Sequence, residues 1–337
     1  MRKIQFLISH LIFVFSPGLV LAEACSFKLP DSSNYEGECK KGLFNGKGKL
    51  TWRNGSEYVG EFKDGLMHGY GKFVHTSGWS NEGEYRNGAL NGQGVYRSEY
   101  GDTYKGKFVE DIQTGEGKFI YSNGDVCEGY FVNGYLHGNG TCKYSDGTFV
   151  NTEWKNGRMH GRGTLNSSNG DKYKGEFAEG RINGRGVFHY SNGDMCEGQF
   201  YDGKIHGNAT CNYVNGTHIK GEWKNGLLNG YGTMTFKSGD QYSGQFENDK
   251  RDGKGVYKRA NGDKYSGSFK NNTFNGLGIY EHSNGDKYTG EFHNGLAHGE
   301  GSFYDHKTKK ESKGFWWNGE LLDKGGESCE ISQPVKT

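Results

Sequence analysis

Proline is scarce in this chain: three residues in 337, Pro17, Pro30 and Pro334. None falls between residues 31 and 333, so that stretch is free to build a continuous hydrogen-bonded ladder, which proline would interrupt. Neither sign of charge is in excess, with 41 Lys and Arg against 40 Asp and Glu. Interspersed signs and neutrality exclude the electrostatic footprint of a nucleic-acid binder, and they offer little attraction to anionic lipid. The one basic cluster, Lys307, Lys309, Lys310 and Lys313, reads as a solvated strand end. Apolar residues are few at 32%, yet aromatics reach 15%, too many for a disordered chain. Glycine supplies 59 residues without recurring at every third position, which excludes collagen.

Long hydrophobic runs are also missing, apart from one. Arg2-Lys3, an apolar run from Ile4 to Leu21 and then Ala22-Glu23-Ala24 read as a signal peptide over 1–24, cleaved after Ala24 or after Ala22. Gln5, His10 and the Ser16-Pro17-Gly18 break make the run a poor membrane span. A lipoprotein leader would put Cys25 first, but Glu23 and the lack of Leu three residues before the cysteine argue against it. The expected location is periplasmic or extracellular.

From Tyr35 to Lys310 one 23-residue unit is written twelve times without insertion or deletion, starting at 35, 58, 81 and so on to 288. A strict short period marks stacked units that bury their apolar faces against their neighbours. Numbered from its first residue, each copy carries aromatic or apolar side chains at positions 1, 5, 16 and often 18. Charges favour 2, 4 and 6, with Glu61, Glu176, Glu222 and Glu291 at position 4. Alternation of this kind predicts two half-buried strands, at roughly positions 1–6 and 12–18.

Cysteines fix the pairing. Cys127 and Cys142 occupy positions 1 and 16 of the fifth copy, and Cys196 and Cys211 the same positions of the eighth. Two such joint replacements predict disulfides across facing strands, since a zinc site would need four ligands together and the pairs lie three copies apart. Cys39 sits at position 5 of the first copy, and a bridge to Cys25 would pin the N-terminal segment 25–34 over it. Cys329 is left without an intramolecular partner, which suggests a free thiol or an intermolecular bond.

If position 1 faces 16, then 3 faces 14 and 5 faces 12. Position 12 is always Gly, position 3 is Gly except Thr152, and position 14 is Gly except Ala209. The glycines would then make room for large rings at position 5: Phe62, Tyr85, Phe108, Phe131, Trp154, Phe177, Phe200, Trp223, Phe246, Phe269 and Phe292. Position 8, Gly in nine copies and Asp111, Asp249 or Asn272 in the others, marks a turn with a left-handed residue. The recurring Asn-Gly-Asp at 20–22 predicts a three-residue loop with Gly in the bulge position. The expected product is an all-β, single-layer, twisted antiparallel meander of about 24 strands, roughly 115 Å long, with an aromatic groove on one face. A partial thirteenth copy at 311–321, with Phe315-Trp316-Trp317, would cap it, followed by a tail over 322–337.

The pattern Tyr-x-Gly-Glu-Phe-x-x-Gly-x-x-His-Gly-x-Gly, clearest at 58–73, 173–188 and 288–303, resembles the MORN (membrane occupation and recognition nexus) repeat, and the resemblance covers 35–321. MORN arrays occur in junctophilins, phosphatidylinositol-phosphate kinases and flagellar radial-spoke proteins, where they look like scaffolding, dimerising or membrane-apposing elements. The resemblance implies the meander and a binding role. An exported chain with disulfides departs from those cytosolic examples.

Catalytic and metal readings fare poorly. His68, His137, His160, His206 and His298 share position 11 with Asn45, Asn91, Asn183, Asn229 and Asn275. Equivalent atoms in successive copies would lie ~9.6 Å apart, too far to share a zinc easily. Interchange with Asn predicts a turn hydrogen bond. The position-4 carboxylates are equivalent to one another, whereas acid–base catalysis needs one pair in split environments. The expectation is a non-enzyme without cofactor or metal: an exported scaffold for a protein partner or a second copy of itself. Peripheral lipid-headgroup binding is the alternative, and cell-wall or carbohydrate binding the second alternative.

Overall fold

The computed structural model describes residues 23–322. The predicted leader except Glu23 and Ala24, Cys329 and nearly all of the predicted tail lie outside them. The described residues contain 27 strands and no helix, and consecutive copies build antiparallel meanders. The chain divides into two compact units at Ser168/Asn169. Thirteen strands, from Glu23–Lys28 to Arg158–Asn166, belong to the first unit, and fourteen, from Lys172–Ala178 to Glu320–Leu321, to the second. The surplus over the expected 24 comes from an extra strand ahead of the first copy and a truncated hairpin after the last.

Each copy is a hairpin. In the second copy the strands are Glu57–Lys63 and Leu66–Val74, so the second strand starts at position 9, three residues earlier than expected. A two-residue turn joins them, and both of its residues are left-handed: Asp64 at φ 51° and Gly65 at φ 84°. Two consecutive positive φ values define the tight hairpin turn whose twist matches its strands. Copies are linked as the period predicts: His75 N donates to Trp79 O, Gly78 N to His75 O, and Gly78 takes φ 100° in a three-residue loop.

The register corrects one expectation. Tyr58 faces Phe73 and Gly60 faces Gly71, as anticipated, but the ladder then shifts, so that Glu61 faces His68 and Phe62 faces Met67. Position 5 therefore faces 10 within its hairpin. Position 12 faces position 5 of the following copy instead, as Gly69 faces Tyr85. The reason is a bulge at position 12, where the glycine has positive φ in all twelve copies, from 60° at Gly69 to 141° at Gly92. Its constancy answers a backbone need as well as a spatial one. The position-4 side chain spans the bulge: Arg185 N donates to Glu176 Oε2 at 2.9 Å and Lys254 N to Gln245 Oε1 at 2.6 Å.

The core is one row of rings in each unit. Where position 1 is Tyr, its ring lies over the glycines at 3 and 14 and its hydroxyl donates to the carbonyl of position 4, as Tyr58 does to Glu61 O at 3.1 Å. The same ring meets the position-5 ring of its own copy edge-on, and that of the next copy too: Tyr58–Phe62 at 5.1 Å and Tyr58–Tyr85 at 5.0 Å. Such contacts contribute roughly 0.5–1.5 kcal/mol each beyond area burial.

Candidate functional site

The eleven position-5 rings, expected to line an open groove, are each only 2–6% exposed. They are packed core, and a ligand would find their faces already covered. The position-11 side chains reach the turn of the next copy: Asn91 Nδ2 donates to Glu110 Oε1 at 3.2 Å, and His206 Nδ1 accepts from Asn225 N at 3.4 Å. The Nδ1 atoms of His68, His137 and His298 are buried without a partner, and no cluster of three metal-ligating side chains exists among the described residues. Three disulfides form: Cys25–Cys39, Cys127–Cys142 and Cys196–Cys211. The first ties down strand Glu23–Lys28, which lies beside the first copy as an edge strand, with Cys25 opposite Gly37, rather than over it.

One exchange inside the period was not anticipated. Position 1 is not Tyr in five copies, which carry Asn81, Cys127, Val150, Cys196 and Ile219. In four of these the position-10 side chain is buried (Leu90, Leu136, Ile205 and Leu228), and in the Val150 copy Met159 is half-buried. Leu90, Leu136 and Leu228 cover the glycines that a tyrosine ring covers elsewhere. The two departures from glycine, Thr152 and Ala209, both fall in copies without that ring, where a Cβ has room.

Against this regular background one place is irregular. Position 22 is Asp in seven copies and Ser or Thr in three, and the aspartates cap the next loop, as Asp171 Oδ1 accepts from Ser191 N at 2.7 Å. That bond is the main reason the Asp171 carboxyl is held below its ordinary pKa. The second copy has Trp79 there, the sole aromatic at this position. The third copy then has Asn81, the one polar residue at position 1, and Tyr85, the one tyrosine at position 5. Tyr85 Oη donates to Asn81 Oδ1 at 2.5 Å, and burial pushes the Tyr85 pKa well up.

Around these three departures the first unit opens a cleft of about 510 Å³. A row of partly buried rings floors it: Trp52–Phe73 at 5.3 Å, Phe73–Trp79 at 5.0 Å and Trp79–Tyr96 at 6.2 Å, with His75 stacked on Trp79 at 5.2 Å. Asn54, Asn81, Asp111 and Gln113 also line it, and neither lysine nor arginine does. Asp111 Oδ1 accepts from Leu90 N at 2.8 Å. A second recess, about 650 Å³ in the other unit, is lined by Asn225 and Asn248 of the hairpin turns and by Asn229 and Gln245 of the adjoining strands.

The MORN repeat family matches at twelve consecutive segments: 35–57, 58–80, 82–103, 104–126, 127–149, 153–172, 173–195, 196–218, 220–241, 242–264, 265–287 and 288–306. The chain belongs to the MORN-repeat family. The segments that begin late, at 82, 153 and 220, are copies led by Asn81, Val150 and Ile219. No curated protein matches the sequence. Among solved structures the chain is similar to the TCP10 domain of Danio rerio CPAP at 8% identity and TM-score 0.26, covering 66% of this chain and 94% of that one. It is also similar to the SAS-4 (dCPAP) TCP domain of Drosophila melanogaster in complex with a proline-rich motif of Ana2, at 11% identity and TM-score 0.27, covering 64% and 99%. A third, the virginiamycin B lyase of Staphylococcus aureus, gives 10% identity and TM-score 0.14, covering 83% and 88%. These scores are too low to establish a shared fold, and no partner is carried over from them.

Proposed function

We propose that this chain is an exported, non-catalytic MORN scaffold that binds a protein partner, or a second copy of itself, through its open sheet edges. MORN repeats mediate protein or lipid interactions, and the family is generally non-catalytic. The observation that carries the reading is strand Lys310–Trp317. It pairs with Leu296–Asp305 along one side, whereas on the other the described residues offer only the two-residue strand Glu320–Leu321, opposite Trp317 and Trp316. Leu322 N donates to Phe315 O at 3.0 Å, and short of that bond every second residue between 310 and 314 turns its backbone N–H and C=O away from Leu296–Asp305 without a strand partner among the described residues, a template for strand addition. Among the described residues strand Glu23–Lys28, which cleavage after Ala24 would shorten to 25–28, pairs only with Asn34–Lys40 and presents a second such edge in the other unit. Export draws support from the three disulfides, which belong in an oxidising compartment, and from the predicted leader, with the mature chain starting after Ala22 or Ala24.

The test is light scattering on the purified mature chain, with Ser312→Pro and Lys313→Pro as companions. Neighbouring residues of a strand direct their N–H groups to opposite sides, so one of the two prolines blocks the open edge. Self-association that one variant abolishes supports the copy-to-copy form; monomer in every case leaves a protein partner to be trapped. Cys329 is proposed to lock a tail-to-tail pair, and a non-reducing gel showing monomer alone, with Cys329 open to alkylation, would exclude the lock.

Lipid binding is the second reading, favoured by Phe315 and Trp317, 39% and 51% exposed, beside Lys310 and Lys313. Flotation with neutral and anionic vesicles at physiological salt separates the two. Co-flotation that Trp317→Ser abolishes would put lipid ahead of protein.

A further inference from the structure

We propose that the cleft at Trp52, Phe73, Trp79 and Asn81 is a binding site for a neutral glycan. This goes beyond edge-mediated scaffolding, since the cleft lies on a sheet face and uses none of the edge backbone. The departures that form it give up stabilising features. Trp79 replaces the aspartate that elsewhere caps a loop, and Asn81 replaces a buried ring in a period otherwise filled by Tyr, Cys, Val or Ile. Three breaks of a strict rule at one spot, all lining one cleft, are what a binding function imposes on a repeat.

The lining selects the ligand class. A volume of about 510 Å³ suits one or two sugar rings and falls inside the usual range for ligand sites. With no Lys or Arg in the lining, phosphates, nucleotides and acidic sugars lack a counter-charge. A cation would want rings spaced around it. Here Phe73 packs against Trp52 at 5.3 Å and against Trp79 at 5.0 Å, so the rings close on one another instead of surrounding a charge, and the one carboxylate in the lining already accepts the Leu90 N–H. A pyranose, by contrast, has a face of C–H bonds that lies on an aromatic floor and a rim of hydroxyls that both donate and accept. Amides answer such a rim: Asn54, Asn81 and Gln113 stand in the lining, and Asn54 Oδ1 accepts from Ser56 N and Asn81 Oδ1 from the Tyr85 hydroxyl, which leaves their NH₂ groups to donate to a ligand while Gln113 offers an amide oxygen.

The experiment uses the full mature chain, disulfides intact, with cellohexaose, chitohexaose, maltohexaose and xylohexaose at millimolar concentration, followed by tryptophan fluorescence and saturation-transfer NMR. Decaproline serves as the peptide comparison. At least one oligosaccharide is expected to bind saturably. Trp79→Asp, which restores the residue found at that position in seven copies and so should fold, is expected to weaken it by about tenfold or more. Trp79→Phe should retain most of the affinity, and Gln113→Ala should weaken it while leaving the circular dichroism unchanged. Failure of all four sugars to bind, or binding indifferent to Trp79→Asp, overturns the proposal. Decaproline binding that Trp79→Asp abolishes, without sugar binding, overturns it in favour of a proline-rich peptide.

Discussion

The hydroxyl of Tyr58 would stand only 2.6 Å from a Cβ placed on Gly60, and the ring covers Gly71 on the facing strand more closely still. Neither glycine has positive φ, so what the ring requires is absence of a side chain rather than backbone freedom.

Gly71→Ala should therefore destabilise by about 1–3 kcal/mol through overpacking. Gly94→Ala, under Leu90 in the copy led by Asn81, should cost less, because the nearest atoms there are 3.0 Å away and one is a rotatable methyl. In a double-mutant cycle Tyr58→Val should recover part of the Gly71→Ala loss. Thermal denaturation of the four proteins checks it, and additive effects would contradict the account.

Removing the Cys127–Cys142 bridge tests what the cysteines add. Val150 and Leu165 already occupy positions 1 and 16 in the sixth copy, so Cys127→Val with Cys142→Leu keeps the packing and removes only the cross-link. For a separation of 15 residues the chain-entropy account predicts a loss of about 3 kcal/mol. Denaturation of the variant should match that of the wild type with this bridge reduced.

Alkaline pH offers a third test. Burial is the main cause that pushes Tyr35, Tyr104, Tyr173, Tyr242 and Tyr265 up to about 12, from an ordinary 10.0. Between those values the unfolded chain has released protons that the folded one retains, so stability falls as pH rises. The stabilisation is complete below pH 10 and lost by about pH 12. Tyrosinate absorbance should emerge together with loss of the β-sheet signal. Smooth titration near pH 10 in an intact fold would contradict the burial of these rings.

Much of this fold was legible because the period makes each position a repeated observation. The hairpin count, the two cysteine pairs and the three-residue loops with glycine at position 21 all follow from spacing. The position-12 bulge did not, because an invariant glycine is equally consistent with crowding and with positive φ, and here both act. Position 7 hid its left-handed backbone behind Asp64, Asn87, Glu110 and Lys41, residues that carry no glycine signal. The exchange between positions 1 and 10 needs both strands in view: Leu90 and Asn81 look unrelated until Leu90 is seen over the glycines that a tyrosine would cover. Burial of the position-5 row depends likewise on rings from adjacent copies. The cleft had a readable sign, since Trp79 and Asn81 break the period within three residues, but the rings around it come from four different strands and loops.

The central claim, a scaffold that engages protein through an open edge, is tested most directly by site-specific photo-crosslinking in the exporting cell. One photoreactive residue replaces Lys313 on the outer strand; another replaces Lys220, in the middle of a strand paired on both sides. The account predicts a discrete protein adduct from position 313 and none from 220. Adducts confined to position 220, or lipid adducts alone from 313, would contradict it.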